Sequence, residues 1–397
     1  MAELDPIRRS FVPFGYGFRP FFLLAGIYAV VSIVTWLWIY GQGAAPFAAL
    51  LPQYWHGHEM IFGFMGAAIA GFLLTAVPNW TGEPGFSGAP LVGLTALWLA
   101  GRVAMALVGD LPVVLVAIAE LLFLPALILM IAPLLLRSGN RNLPLLFVLA
   151  ALWLADGLFL FAFHSEHPAL ARIALLVALD LVLVLVTVIG GRIVPAFTRN
   201  ALRQAGADVS LPGNPVIERL VIVTMLTMVV GDLVEPGGKV AATIAALAAA
   251  LQAWRLLGWQ GWRMATKPIV WVVHVAYLWW PVGLAMKATS LGAGIAWAGF
   301  WQHALGIGAA GMMILAVMTR AALGHTGRPL QVHASITIAY LLLAASVVVR
   351  VFGATALSLG YSTAITIAAA LWVAAFVPYL VVYGPILLRP RIDGKPG

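Results

Sequence analysis

The chain has 397 residues, of which 63% are hydrophobic and only 9% charged. A soluble domain carries about 25% charged residues, so this composition predicts a polytopic membrane protein with little mass outside the bilayer. The absence of cysteine excludes disulfides, thiolate-held iron–sulfur clusters, C-x-x-C-H haem attachment and cysteine-based copper sites, and the net charge of +8 is explained by the Lys and Arg of membrane loops without a nucleic-acid partner.

Arg8-Arg9-Ser10-Phe11 has the look of a twin-arginine signal. The apolar stretch that follows, 20–40, is longer than the ~7–15 residues of a signal h-region, so the two arginines read as a cytoplasmic anchor for a first span. Further apolar runs, each close to the ~20 residues that cross a bilayer core, follow at 57–78, 89–108, 112–136, 143–163, 169–196, 216–233, 239–258, 269–288, 296–319, 333–352 and 361–388. The expected fold is all-α: a bundle of about twelve transmembrane helices. A segment 1–19 precedes it, a single membrane domain occupies 20–388, and a tail covers 389–397.

With the N-terminus inside, 17 of the 22 basic residues lie on the cytoplasmic side and Arg102, Arg172, Lys239, Lys287 and Arg350 on the outer side. That asymmetry predicts cytoplasmic termini. The string Thr-Arg-x-Ala-Leu recurs at Thr198–Leu202 and Thr319–Leu323, four spans apart. Either the bundle is built as three groups of four, or polar helix ends have converged.

Span two opens on Trp55-His56-Gly57-His58-Glu59-Met60. Ionisable residues are rare at such depth and in clusters mark functional sites. Neutral imidazole is the usual protein donor to haem iron and copper, so His56 and His58 are candidate ligands, with Glu59 as a hydrogen-bond partner or proton donor. On an α-helix the two histidines are ~200° apart. Either His56 precedes the regular helix, or the two serve different partners. His303, in span ten, is expected at similar depth on the outer side and is the third candidate. Gly63, Gly66, Ala70 and Gly71 form a small-residue face that suits a flat macrocycle or a close helix. Glu120, Asp156 and Asp180 lie near mid-span, where carboxylates must be protonated, paired or hydrated; a proton path and pairing, with Arg102 among the partners, both fit. Met312, Met313 and Met318 read as packing, and Arg192, Arg199 and Arg320 as topology anchors.

Phe18-Arg19-Pro20-Phe21-Phe22, the Trp55–Met60 hexapeptide, Val77-Pro78-Asn79-Trp80-Thr81-Gly82, Gly190-Gly191-Arg192 and Thr319-Arg320-Ala321 through Pro329, in that order, resemble the NnrS family. The resemblance implies a bacterial inner-membrane protein linked to nitric oxide metabolism and denitrification, containing haem and copper. Haem–copper oxidase core subunits are a weaker analogy: they hold a low-spin haem by histidines on spans two and ten, where His56 or His58 and His303 stand here. Spans six and seven of this chain lack histidine, so the three-histidine copper centre of those enzymes is missing and the copper ligands stay open. The resulting expectation is a protein that handles nitric oxide through haem b ligated by His56, His58 and His303, with copper as a second metal and an electron donor that no motif names. The competing readings are a twelve-helix secondary transporter that uses the His/Glu cluster for proton or metal coupling, and a haem or metal sensor without turnover.

Overall fold

The computed structural model of the protein describes residues 12–42, 51–207, 211 and 213–395; the Arg8-Arg9 pair lies outside the described residues. Among the described residues twelve long helices follow one another: α1 Phe18–Gln42, α2 Pro52–Thr81, α3 Ala89–Ala106, α4 Val113–Arg137, α5 Pro144–His164, α6 Pro168–Gln204, α7 Pro215–Val234, α8 Lys239–Gly258, α9 Pro268–Ala293, α10 Ala296–His325, α11 Ala334–Phe352 and α12 Tyr361–Leu388. Eleven are long and apolar enough to cross a membrane, as expected where every backbone polar group must be satisfied within its own segment. The exception, α7, has the length but carries Glu218, Arg219 and Asp232. The chain is a multi-pass membrane protein. Large apolar side chains such as Leu129, Phe147 and Val381 stand exposed on the helices, a pattern suited to contact with acyl chains.

Local chemistry explains where the helices start and break. Proline occupies the first turn of α2, α3, α5, α7 and α9, where no intrahelical N–H is required. At the start of α7 the Asn214 side chain accepts hydrogen bonds from the Val216 and Ile217 amides at 2.9 and 3.4 Å, the usual service of an N-cap. In α4, Pro125 denies the Leu121 carbonyl its helical partner four residues on. The helix is interrupted between Leu121 and Phe123, and the indole N–H of Trp153 donates to the freed carbonyl at 3.0 Å. This break falls directly after Glu120.

The described residues group into two compact units. One lies within Met1–Ala178, Met318–Leu330 and Phe376–Gly397, the other within Leu179–Val317 and Gln331–Ala375. In the first unit the buried Arg19 donates to the carbonyls of Leu387 at 2.9 Å and Arg389 at 2.7 Å, closing the C-terminal end of α12. Arg391 then reaches the His325 carbonyl at 2.7 Å and pairs with Asp393; hydrogen bonds from Arg391 hold the exposed Asp393 carboxyl down to about 2. In the second unit Arg255 pairs with Glu218 and donates to the Thr187 carbonyl and the Tyr277 hydroxyl, both at 2.9 Å.

Candidate functional site

The hexapeptide lies fully within helix. α-Helical geometry runs over Pro52–His58, changes to π-helical over Glu59–Met65, and returns to α-helical at Gly66. His56 is therefore already helical, and it and His58 serve different partners. His56 is partly exposed and stacks on Trp36 with ring centroids 4.6 Å apart. His58 and Glu59 are completely buried. π-Turns inside α-helices are rare and concentrate at functional sites.

Around His58 the first unit assembles a set of charges drawn from four helices, with a tyrosine hydroxyl from a fifth. Its Nδ1 lies 2.8 Å from Glu59 Oε1, and its Nε2 lies 3.0 Å from Asp156 Oδ1 on α5 and 3.8 Å from Glu120 Oε1 on α4. Arg102 on α3 spans the group, donating to Glu59 Oε1 at 2.7 Å and, through its second amino group, to Glu120. The hydroxyl of Tyr28 on α1 donates to Glu59 Oε2. The indole of Trp98 lies beside Arg102 and donates to the Gly63 carbonyl at 3.1 Å. Phe62 and Phe159 lie against the His58 ring at 4.8 and 4.9 Å between centroids.

Two glycines make the space. A Cβ on Gly63 would lie 2.4 Å from a Tyr28 ring carbon and 3.0 Å from Arg102 Nη1; one on Gly101 would lie 2.6 Å from Glu120 Oε2. The small-residue face that the sequence offers to a macrocycle therefore receives, at Gly63, the phenol and guanidinium that orient Glu59.

Charge and hydrogen-bond valence show what the cluster lacks. Both His58 nitrogens face carboxylates, which only accept when ionised. The ring therefore donates from both sides, accepts at Nε2 from a protonated carboxyl, or presents Nε2 to a cation. With all three carboxylates ionised against Arg102 and at most one charge on His58, the buried site is net negative, which is costly. Glu120 Oε2 is buried without a hydrogen-bond partner. With His58 neutral, a divalent cation brings the sum to zero. The ligand atoms of His58, Glu120 and Asp156 all lie within 4.8 Å of one another, a donor set of one imidazole and two carboxylates that suits such an ion. At His58 a carboxylate meets each ring nitrogen, and Phe62 and Phe159 lie against the ring.

His303 belongs to the second unit and repeats the local pattern of His58. It ends a short α-helical turn, Trp301–His303, and π-helical geometry follows over Ala304–Gly311. The other described histidines have ordinary roles. His274 bonds Thr198 at 2.7 Å, His325 packs on Phe18 and Tyr16, and His333 caps α11. His164 ends α5, and His167 is exposed.

The NnrS protein family model matches residues 13–391, nearly the whole chain. The chain belongs to the NnrS family. No curated protein is similar enough to match it. In this NnrS protein the sequence motifs now acquire physical roles. Arg19 of Phe18–Phe22 closes α12. Of Gly190-Gly191, the second glycine lies under Arg255: a Cβ on Gly191 would stand 1.6 Å from Arg255 Nη2. Gly191→Ala is therefore expected to displace the guanidinium and cost about 1–3 kcal/mol, the usual range for overpacking. The check is a lower midpoint of thermal unfolding in detergent, and an unchanged midpoint would contradict the close approach. Glu120 and Asp156 were legible as expensive intramembrane charges with Arg102 among their expected partners, and the Arg102–Glu120 pair is present; their convergence on His58 was not legible.

Proposed function

We propose that this NnrS protein handles nitric oxide in a bacterial inner membrane, with both termini cytoplasmic, at a metal centre held by His58, Glu120 and Asp156. The observation that carries the reading is the buried donor set, which is negative by charge count and has one carboxylate oxygen unpartnered. Copper is the metal that family membership favours, and mixed imidazole and carboxylate ligation suits Cu(II) as it suits non-haem iron. When bound, such a metal supplies an open coordination position for a small diatomic ligand and a change of oxidation state.

The protein's own contribution is orientation and charge. Glu59 accepts from His58 Nδ1, which leaves Nε2 as the ligand nitrogen, and such partners of a metal-bound histidine raise its basicity and fix its ring. Tyr28 and Arg102 in turn hold Glu59, and Arg102 aims Glu120. Phe62 and Phe159 keep water from the ring.

A second cofactor reading rests on the repeated turn of α-helix ending in histidine before a π-helix. It assigns haem b to His303, whose side chain is partly exposed.

Metal analysis and visible spectroscopy of detergent-purified protein test both. About one non-haem metal ion per chain, lost in His58→Ala and in Asp156→Asn, is expected, because a site of three ligands does not survive removal of one. Full metal content in both variants would sink the proposed centre. A Soret band lost in His303→Ala but kept in His58→Ala is expected for haem; colourless, folded protein from haem-replete cells would remove haem from the reading. Anaerobic nitric oxide consumption with an added electron donor then separates an enzyme from a sensor.

A further inference from the structure

The second unit contains its own buried charge cluster, built from three helices and independent of the metal centre. Lys287 on α9 is ion-paired with Asp232 on α7, and its ammonium stands over the Trp301 ring at 4.7 Å. Asp180 on α6 faces the same pair. Its Oδ2 is 3.9 Å from Lys287 Nζ, beyond hydrogen-bond reach, and neither of its oxygens receives a hydrogen bond from a donor group. All three side chains are 1–2% exposed.

We propose that Asp180 is a proton-binding site within the membrane domain. Two ionised carboxylates beside one ammonium leave a net negative charge, and an ionised carboxylate without donors is among the most expensive groups to bury. The missing positive charge must sit on or beside Asp180. A metal ion there would face the Lys287 ammonium at close range, whereas a proton neutralises Asp180 and adds no charge beside it. Lys287 is committed to Asp232, so the proton belongs to Asp180. Among the described residues, Asp232 and Lys287 are the charged groups that face it.

Infrared difference spectroscopy of the full-length protein in detergent tests this assignment. The wild type is expected to show a carboxylic-acid carbonyl band that moves down in D2O and is lost in Asp180→Asn. The same band is expected to vanish in Asp232→Asn, although Asp180 is intact there, because Lys287 is then released to pair with an ionised Asp180. Lys287→Met, which leaves two carboxylates without a cation, is expected to gain a second such band. Metal content should be unchanged in Asp180→Asn and Asp232→Asn, so failure here is distinguishable from failure of the metal centre. A wild-type spectrum from which Asp180→Asn removes nothing overturns the proposal. A band that persists in Asp232→Asn but is absent in Asp180→Asn keeps the proton on Asp180 and shows that Lys287 does not re-pair with it. If Asp180→Asn fails to fold while Asp180→Glu folds, the proposal is also overturned, because asparagine imitates the neutral, protonated side chain.

Discussion

Arg102→Ala is expected to be the most damaging single substitution in the first unit. The guanidinium is buried and pairs with both Glu59 and Glu120. Its removal leaves Glu59, Glu120 and Asp156 facing His58 alone. Breaking one partner out of a buried ion pair costs about 3–5 kcal/mol, because the remaining charge is stranded. Total stabilities are about 5–15 kcal/mol, so a large fraction of the margin goes. The expected readout is a poor yield of monodisperse protein after extraction and a much lower unfolding midpoint. Arg102→Lys keeps the charge but lacks the planar fork that meets two carboxylates, and should fall between. The double variant Arg102→Ala/Glu120→Gln removes one of the stranded charges and should recover part of the loss, as coupled neighbours do. If the double variant is no better than Arg102→Ala, charge balance is not what holds the cluster together.

Arg19→Ala is expected to loosen the C-terminal end of α12. The last carbonyls of a helix lack intrahelical donors and carry the negative end of its dipole. Arg19 supplies a buried cation to two of them at hydrogen-bond distances below 3 Å, Leu387 at 2.9 Å and Arg389 at 2.7 Å, with Ile386 at 3.4 Å. Hydrogen bonds to a charged group contribute about 1.5–3 kcal/mol each, and stranded carbonyls add to the loss, so a cost of about 2–4 kcal/mol is expected. Limited proteolysis should then cleave near residues 386–391 much faster than in the wild type. Equal cleavage rates would show that the end of α12 is held by something else.

Several features were readable from single residues. The apolar runs locate twelve helices because bilayer thickness fixes the length of a spanning segment and the bilayer's lack of hydrogen-bonding partners fixes its secondary structure. Start points such as Pro52, Pro144 and Pro268 follow from proline chemistry at the first helical turn. His58 and Glu59 stand out because ionisable groups at that depth are costly. The relation between His56 and His58 was undecided in the sequence, since it depends on where α2 begins, and the helix starts at Pro52, before both.

The assembly of the centre needed the tertiary structure. Asp156 lies 98 positions from His58 and Glu120 lies 18 from Arg102, and nothing in local periodicity states that their helices converge. The glycines at positions 63, 101 and 191 look alike in sequence, as small residues on helices. Only the packing shows that they admit a phenol with a guanidinium, a carboxylate and a second guanidinium respectively.

By itself, then, the sequence determined a multi-pass helical protein of the NnrS family, with titratable residues placed at depths where they must have partners. Only the tertiary structure decided who those partners are. It enclosed His58 among Glu59, Glu120 and Asp156 and stacked His56 on Trp36. The physical reason is that membrane insertion depends on the composition of each segment taken alone. Charge compensation inside the bilayer depends instead on distances of a few ångströms between helices far apart in the chain.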